Sequence, residues 1–371
     1  MEVIIGRKYN LAANLLFIAF RFQLGKDHSY FMRRCIEIAQ AGLGYVSPNP
    51  LVGSVIVKDG KIISEGFHRA FGGSHAEVNA IESETSGADF SECTLYVNLE
   101  PCSHFGKTPP CADLIIRSGF KKVVIGTLDP NPIVSGRGVA KMQEAGIEIE
   151  HGIESEKCEW LNRRFFTWHR EKRPYVILKW AQTKDGFMDK SREIGEKGIH
   201  WISSPTTKRL VHIWRSEEDA ILIGGQTMAI DNPSLTVREV AGKNPLRVVL
   251  AGGCEIPKNS SLLSEEASTL FIHSGIQNNH LADKQVHLYL NGRDSISFVL
   301  KELYERNIQS VIIEGGKRIL EAFIDRGLWD EARVIESKSK FLTGLKTPEI
   351  KGHPISSFFI EEDQITLYKR A

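Results

Sequence analysis

Cysteine is scarce in this sequence. Six residues in 371 (Cys35, Cys93, Cys102, Cys111, Cys158 and Cys254) are too few for a disulfide scaffold, which suits a reducing cytoplasm. An excess of either charge is missing too: 47 Lys and Arg stand against 46 Asp and Glu, a formal net charge of +1. This argues against nucleic acid as a partner, since such proteins carry a basic excess on one face. No apolar run approaches the roughly 20 residues that span a bilayer, so a membrane partner is not expected. Arg7 and Lys8 followed by Leu11 to Phe20 imitate a signal peptide, but Asn14 interrupts the run and no small-residue cleavage pattern follows. Residues 1–27 read as an extension outside the fold. Gly-x-Gly-x-x-Gly is absent, which argues against the ordinary dinucleotide fingerprint. Internal repeats and low-complexity tracts are absent as well.

What remains has the length and periodicity of two globular domains. Phe31, Met32, Cys35, Ile36, Ile38 and Ala39 recur at helical spacing. Leu51 to Lys58 and Lys61 to Gly66 flank Asp59-Gly60, a strong hairpin signal. Helices near 75–82, after Pro109-Pro110 and at 138–145 then alternate with strands at 94–98, 122–125 and 147–150. Such alternation predicts a sheet with helices on both faces. The spacing predicts a first domain over 28–153, a charged linker over 154–173 and a second α/β domain over 174–371. In the second domain strands are predicted at 175–180, 220–223, 246–250, 270–273, 286–290 and 310–314. A helix capped by Ser203 or Ser204 starts at Pro205, and others lie near 296–305 and 318–326.

The chemistry concentrates in His75-Ala76-Glu77 and in Cys102 and Cys111, the latter two separated by eight residues. One imidazole and two thiolates are three of the four ligands of tetrahedral zinc, leaving a position for water, as in catalytic rather than structural sites. Zinc lowers the pKa of bound water to about 7. In zinc deaminases the Glu two residues after the His is not a ligand but carries the proton to the ring and the leaving amine, the role expected of Glu77. A structural Cys-His clip is the competing reading. In the second half, Gly224-Gly225 and Gly315-Gly316 each follow an apolar strand. On spacing alone they fit either a phosphate cradle or tight strand-to-helix turns.

The segment Leu99-Glu100-Pro101-Cys102-Ser103-His104-Phe105-Gly106-Lys107-Thr108-Pro109-Pro110-Cys111, with Asn49-Pro50-Leu51-Val52-Gly53, Asp129-Pro130-Asn131-Pro132 and Gly136-Arg137-Gly138, resembles the bifunctional riboflavin-biosynthesis family RibD. Residues 28–153 resemble its deaminase half and 172–371 its reductase half. The resemblance implies a cytidine-deaminase-like α/β/α domain followed by a dihydrofolate-reductase-like α/β domain. It implies Zn2+ and NADPH as cofactors and small phosphorylated pyrimidines as substrates: deamination of a phosphoribosylated diaminopyrimidinone, then reduction of its ribose to ribityl. On the deaminase side it implies Asn49, His68, His104 and Lys107 as substrate contacts, although a lone His68 or His104 is more often a structural histidine, and His104, two residues from a zinc ligand, can also serve to orient that ligand. On the reductase side it implies Lys179 and Asp231 as catalytic. Arg215, Arg238 and Glu314 are then substrate contacts, and Ser203, Gly224, Gly225, Thr227, Gly315 and Gly316 line the cofactor cleft. The stretch Lys190 to Gly198 is longer than the usual family loop, and the family's Ala-Pro-x-Leu-x-Gly segment is not recognisable in 335–344. A deaminase of another nucleobase and a non-catalytic second half are the alternatives. Oligomeric state is left open.

Overall fold

The computed structural model describes residues 27–105, 109–132, 134–275, 280–281 and 284–371. The extension up to residue 26 lies outside the described residues, and so does Lys107. Asp27, read from sequence as the end of the extension, instead caps helix α1 (His28–Ala39), its carboxylate accepting from the Ser29 amide at 2.6 Å. The chain forms two compact units: the first runs to Asn162 and the second from Arg163 to Ala371, with Ser47–Asn49 grouped with the second. Among the described residues no helix is long and apolar enough to cross a membrane.

In the first unit, β1 (Gly53–Lys58) and β2 (Lys61–Phe67) form the hairpin. Its turn residues Asp59 and Gly60 both have positive φ, 49° and 70°, as the tight two-residue turn requires. Strands β3 (Thr94–Leu99), β4 (Lys122–Thr127) and β5 (Glu148–His151) complete the order β2-β1-β3-β4-β5, the last two pairings being parallel. Successive strand residues point to opposite faces. Ile56, Leu95, Val97, Val123 and Ile125 pack with Ala80, Ala112, Ile115 and Met142, carried by α2 (Ala76–Ser83), α3 (Cys111–Arg117) and α4 (Arg137–Glu144). Val55, Val57, Tyr96 and Val124 pack on the other face with Phe31, Met32 and Cys35 of α1 and Cys158 of α5 (Ser155–Leu161). Each fully buried Val, Leu, Ile or Phe contributes about 1.5–3 kcal/mol of transfer free energy, so both faces are needed to hold the sheet. The segment read as a linker is helical. Helix α5 belongs to the first unit's core, and α6 (Arg163–Glu171), with Phe165 and Phe166 buried, opens the second unit.

The second unit is a ten-stranded sheet in the order β11-β12-β10-β9-β8-β13-β6-β14-β17-β16. Seven strands are parallel: β6 (Tyr175–Thr183), β8 (Ala220–Gly224), β9 (Leu246–Gly252), β10 (Thr269–His273), β12 (Gln285–Tyr289), β13 (Ser310–Gly315) and β14 (Glu331–Ser337). Antiparallel strands close the edges: β11 (His280–Leu281) on one, β16 (Gly352–Ile360) and β17 (Asp363–Arg370) on the other. Helices α9 (Ser295–Glu305) and α10 (Lys317–Asp325) cover one face through Ile296, Val299, Leu303, Leu320 and Phe323. Helices α7 (Pro205–Glu217) and α8 (Gly225–Asp231) cover the other through Val211, Trp214 and Met228. No element is predicted from sequence after Arg326; the structure adds β14, β16 and β17, and pairs β7 (Phe187–Lys190) with β15 (Gly344–Lys346).

Candidate active sites

The first unit assembles His75, Cys102 and Cys111 from three places. His75 occupies the cap position of α2 with extended backbone (φ −72°, ψ 165°) and makes no side-chain cap bond, so its ring is available. Cys102 follows the end of β3. Cys111 opens α3 behind Pro110. His75 Nδ1 lies 3.2 Å from Cys111 Sγ and 3.6 Å from Cys102 Sγ, and all three ligand atoms fall within 4.8 Å of one another. Zinc bonds of about 2.0–2.1 Å to nitrogen and about 2.3 Å to sulfur place tetrahedral ligand atoms about 3.5–3.8 Å apart, so the residues fit the metal. No other trio of this kind occurs among the described residues.

The electrostatics agree with a cation site. The hydrogen bond from the Cys111 thiol, opposed by burial and aided by His75, pushes Cys102 down to about 4. The Cys111 backbone N–H also donates to the Cys102 sulfur at 3.3 Å, placing a helix-start amide on the thiolate. Cys111 in turn holds its proton above the ordinary thiol range, because it donates to Cys102 and is buried. Two thiols sharing a proton are ready to exchange it for a metal ion. Glu77 sits in the first turn of α2, 3% exposed. Burial first, then the Cys102 charge, raises its proton affinity, which suits a carboxylate that must accept and return a proton near neutral pH.

Around this centre His68 is buried, and its Nδ1 faces the Ser74 carbonyl at 2.9 Å, so that nitrogen carries the proton. Its ring packs edge-on against His75 with centroids 5.4 Å apart. His104 is exposed. Asn49 falls in the segment grouped with the second unit. Glu100, whose place in the cysteine segment suggests no role, is buried. Its Oε2 accepts from the Asp129 and Gly136 amides at 3.2 and 2.9 Å, and its Oε1 from the Gly138 and Val139 amides at 3.0 and 3.3 Å. One carboxylate thereby ties the Asp129 loop and the start of α4 to the chain two residues before Cys102. Asp129, within that loop, is pushed up to about 6 by burial.

In the second unit the expected residues fall into two groups. Leu178 of β6 pairs with Ile313 of β13, which makes Lys179 and Glu314 neighbours, Nζ to Oε2 3.7 Å. Arg215, near the end of α7, grips the same carboxylate with a fork, Nε to Oε1 and Nη2 to Oε2 both at 2.8 Å. Burial alone would raise Glu314; Arg215 and Lys179 overcome it and hold the group at about 2. Burial pushes Lys179 down. The fork edge of Arg215 is therefore engaged by Glu314, leaving Nη1 facing the Thr236 carbonyl at 3.5 Å. Arg238 is exposed, with Nη1 donating to Thr236 Oγ1 at 3.0 Å. Asp231, the last residue of α8, stands instead beside Arg192, Oδ1 to Nη2 3.7 Å, and burial pushes it up to about 6.

The glycine pairs converge. Strands β8 and β13 are adjacent and parallel, so Gly224-Gly225 and Gly315-Gly316 lie side by side at their carboxyl ends. A Cβ on Gly315 would come 3.0 Å from Thr227 Cγ2, and one on Gly316, where φ is 78°, 3.4 Å from Thr227 Oγ1. The four glycines thus sit with Thr227 at the strand ends where open α/β sheets bind their ligands, and close packing also requires them, since a Cβ on Gly225 would come 2.5 Å from the Ala251 carbonyl oxygen. Ser203 precedes the helix cap; Ser204 is the cap, accepting from the Thr207 amide at 3.2 Å.

Residues 25–127 match the cytidine and deoxycytidylate deaminase zinc-binding region, and residues 174–342 match the RibD C-terminal domain. The riboflavin biosynthesis protein RibD of Aquifex aeolicus is 42% identical over 304 residues, covering 81% of this chain and 84% of its own. That of Escherichia coli is 34% identical over 318 residues, covering 81% and 85%. Among solved structures, the diaminohydroxyphosphoribosylaminopyrimidine deaminase/5-amino-6-(5-phosphoribosylamino)uracil reductase of Thermotoga maritima matches with a TM-score of 0.84 at 39% identity, over 93% of this chain and 99% of that one. Acinetobacter baumannii RibD matches at 0.80 and 32%, over the same shares. The cytidine-deaminase-like and dihydrofolate-reductase-like halves are thus both present in the expected order. With relatives above 30% identity over most of its length, this chain belongs to the RibD family, the bifunctional deaminase and reductase of riboflavin biosynthesis.

Proposed function

We propose that the first unit hydrolyses the amino group of 2,5-diamino-6-(5-phosphoribosylamino)pyrimidin-4-one. The second unit then reduces the ribosyl group of the product, 5-amino-6-(5-phosphoribosylamino)uracil, to a ribityl chain. The observation that carries this reading is the buried Glu77 beside His75, Cys102 and Cys111. Zinc, when bound by those three side chains, supplies Lewis acidity and makes water acidic near neutral pH. Glu77 takes one proton from the attacking water and delivers it to the ring nitrogen, then takes the second from the hydroxyl so formed and delivers it to the departing amine; the C–N bond breaks, the ring carbon keeps the water oxygen as a carbonyl and ammonia leaves. His68 steadies His75, and the loop held by Glu100 walls the site. His104 and Lys107 are substrate contacts of the first unit.

In the second unit NADPH, when bound, supplies the hydride. Gly224, Gly225, Thr227, Gly315 and Gly316, with Ser203, hold the cofactor. Lys179 and Asp231 hold and move the proton at the sugar oxygen that is released as the ring opens. Glu314 keeps Lys179 in place, and Arg238 with Nη1 of Arg215 binds the phosphate. The balanced charge supports small phosphorylated pyrimidines rather than nucleic acid as partners. Six free cysteines support a cytoplasmic location.

The test is a two-signal assay on the purified chain with the diaminopyrimidinone substrate, following ammonia and NADPH with and without a zinc chelator. Ammonia that disappears on chelation, with NADPH falling only after it, is the expected result. Ammonia without NADPH oxidation would refute the reductase half. Neither signal, with zinc bound, would refute the substrate.

A further inference from the structure

The long loop between β7 and α7 folds back on α8, where the Gly198 amide donates to the Ile230 carbonyl at 2.9 Å, one residue before Asp231. That contact brings Arg192 beside Asp231, Nη2 to Oδ1 3.7 Å. Asp189 holds the guanidinium from behind, accepting from Nε at 2.6 Å and from Nη2 at 3.2 Å. His200 buttresses Asp189, with Nδ1 2.7 Å from Oδ1, and its Nε2 lies 3.1 Å from Glu196 Oε1. Nη1 of Arg192 differs from the other two nitrogens: it is buried and has no hydrogen-bond partner among the described residues. A buried N–H without an acceptor is destabilising, and native structures rarely keep one unless a ligand or water completes it.

The charges around this donor say what kind of acceptor fits. Arg192 already faces two carboxylates, Asp189 and Asp231, with Glu196 behind His200. A phosphate dianion placed there would meet like charge. A neutral hydroxyl or ether oxygen meets no such repulsion, and an oxygen with free lone pairs is what the buried Nη1 lacks. We propose that Arg192 is a further substrate-binding residue of the second unit, its Nη1 donating to a neutral oxygen of the sugar that lies against Asp231. This rests on the reductase reading above, since the sugar is that of the proposed substrate. The Asp189 fork orients the guanidinium, and because Nη1 is buried the loop that Gly198 ties to Ile230 must shift to admit the sugar oxygen.

The experiment uses the full chain with Arg192→Lys and Arg192→Met, measuring NADPH oxidation with 5-amino-6-(5-phosphoribosylamino)uracil across pH. Inorganic phosphate serves as a competing inhibitor, and thermal melting checks folding. Lysine keeps the charge near Asp231, but its single ammonium is drawn to Asp189 and has no second arm for the sugar. The expected result is a KM raised about tenfold or more in both variants. The pH limb of kcat is unmoved in Arg192→Lys, and inhibition by phosphate is unchanged. Wild-type KM in Arg192→Lys, with only the pH limb displaced in Arg192→Met, would overturn the assignment and leave Arg192 acting through its charge on Asp231. Weaker phosphate inhibition in Arg192→Lys would also overturn it, moving the contact to the phosphate. Should Arg192→Met fail to melt cooperatively, Arg192→Lys alone decides. If the wild-type chain oxidises no NADPH with this substrate, the reductase reading fails and this inference with it. If the wild type is active and both variants keep its KM, the assignment of Arg192 fails by itself.

Discussion

Replacing Glu77 with glutamine isolates the proton carrier from the metal. Gln has nearly the volume of Glu, so a site that is 3% exposed stays filled, and the first turn of α2 keeps its length. What disappears is the group able to accept a proton. General acid–base catalysis is worth about 10²–10⁴ in rate, or about 3–5.5 kcal/mol of barrier at 1.36 kcal/mol per decade. Ammonia release should therefore fall at least 100-fold at unchanged zinc content. Stability should move the other way. Burial and the Cys102 charge hold the Glu77 pKa above its ordinary 4.5, so in the chelated protein its ionised form is disfavoured by folding, a penalty that grows as pH rises above the unfolded value. A neutral amide has no such penalty, and the chelated variant should melt at pH 7 no lower than the chelated parent. Metal analysis, ammonia assay and melting on one preparation separate the possibilities. Activity within tenfold of the parent at full zinc occupancy refutes the proton-carrier role; activity lost only in proportion to zinc makes Glu77 a residue that supports the ligands.

Four further outcomes follow from the same geometry. Asp231, pushed up to about 6 by burial, donates a proton only below that value, so NADPH oxidation should decline as pH rises through about 6. Asp231→Asn should lose that limb along with at least 100-fold in rate, and an unchanged limb would remove Asp231 from the step. Glu314→Gln leaves Arg215 and Lys179 without their shared carboxylate in a buried site, which costs about 3–5 kcal/mol. A melting temperature of the second unit equal to the parent's would contradict that. Glu218, paired with Arg164 and Arg333, and Glu331, paired with Arg333 and Arg163, are both buried in the second unit, and against that burial their arginines hold them, like Glu314, at about 2 against an ordinary 4.5. Their contribution to stability is complete above pH 4.5 and vanishes as pH falls through about 2, so circular dichroism on acid titration should show cooperative loss of the second unit in that window. In the first unit, a Cβ at Gly138 would come 2.2 Å from the Pro101 carbonyl oxygen, next to Cys102. Gly138→Ala should weaken zinc retention against a competing chelator by about tenfold or more, and parental retention would show that the ligand loop yields freely.

The residues that hold the metal were legible because zinc chemistry leaves a local record: His75 and Glu77 are two apart, and Cys102 and Cys111 bracket one loop. Glu100 left none. Its four amide partners lie 29 to 39 residues further along the chain, and nothing beside a cysteine motif announces them. The same holds for Arg215. A basic residue at a helix end reads as a phosphate ligand or a solvated charge, and only the register that sets Leu178 against Ile313 delivers Glu314 into its reach. Helices α5 and α6 escaped notice because they are short and their apolar residues answer to tertiary partners rather than to a long periodic stripe. Strand β16 escaped because its residues, Ser356 and Ser357 among them, are exposed and carry no alternation of burial. Arg192 combines these causes: in sequence it belongs to a charged loop that reads as solvated, and the fold-back at Gly198 makes it the neighbour of Asp231. Groups that ligate or react are constrained in type and local spacing, so sequence reports them. The charges that hold those groups in place are constrained only by where the topology returns the chain. It follows that variants at Glu100 and Glu314 test the fold's part in catalysis, those at Arg192 test a substrate contact that only the fold delivers, and those at Glu77 and Asp231 test the chemistry alone.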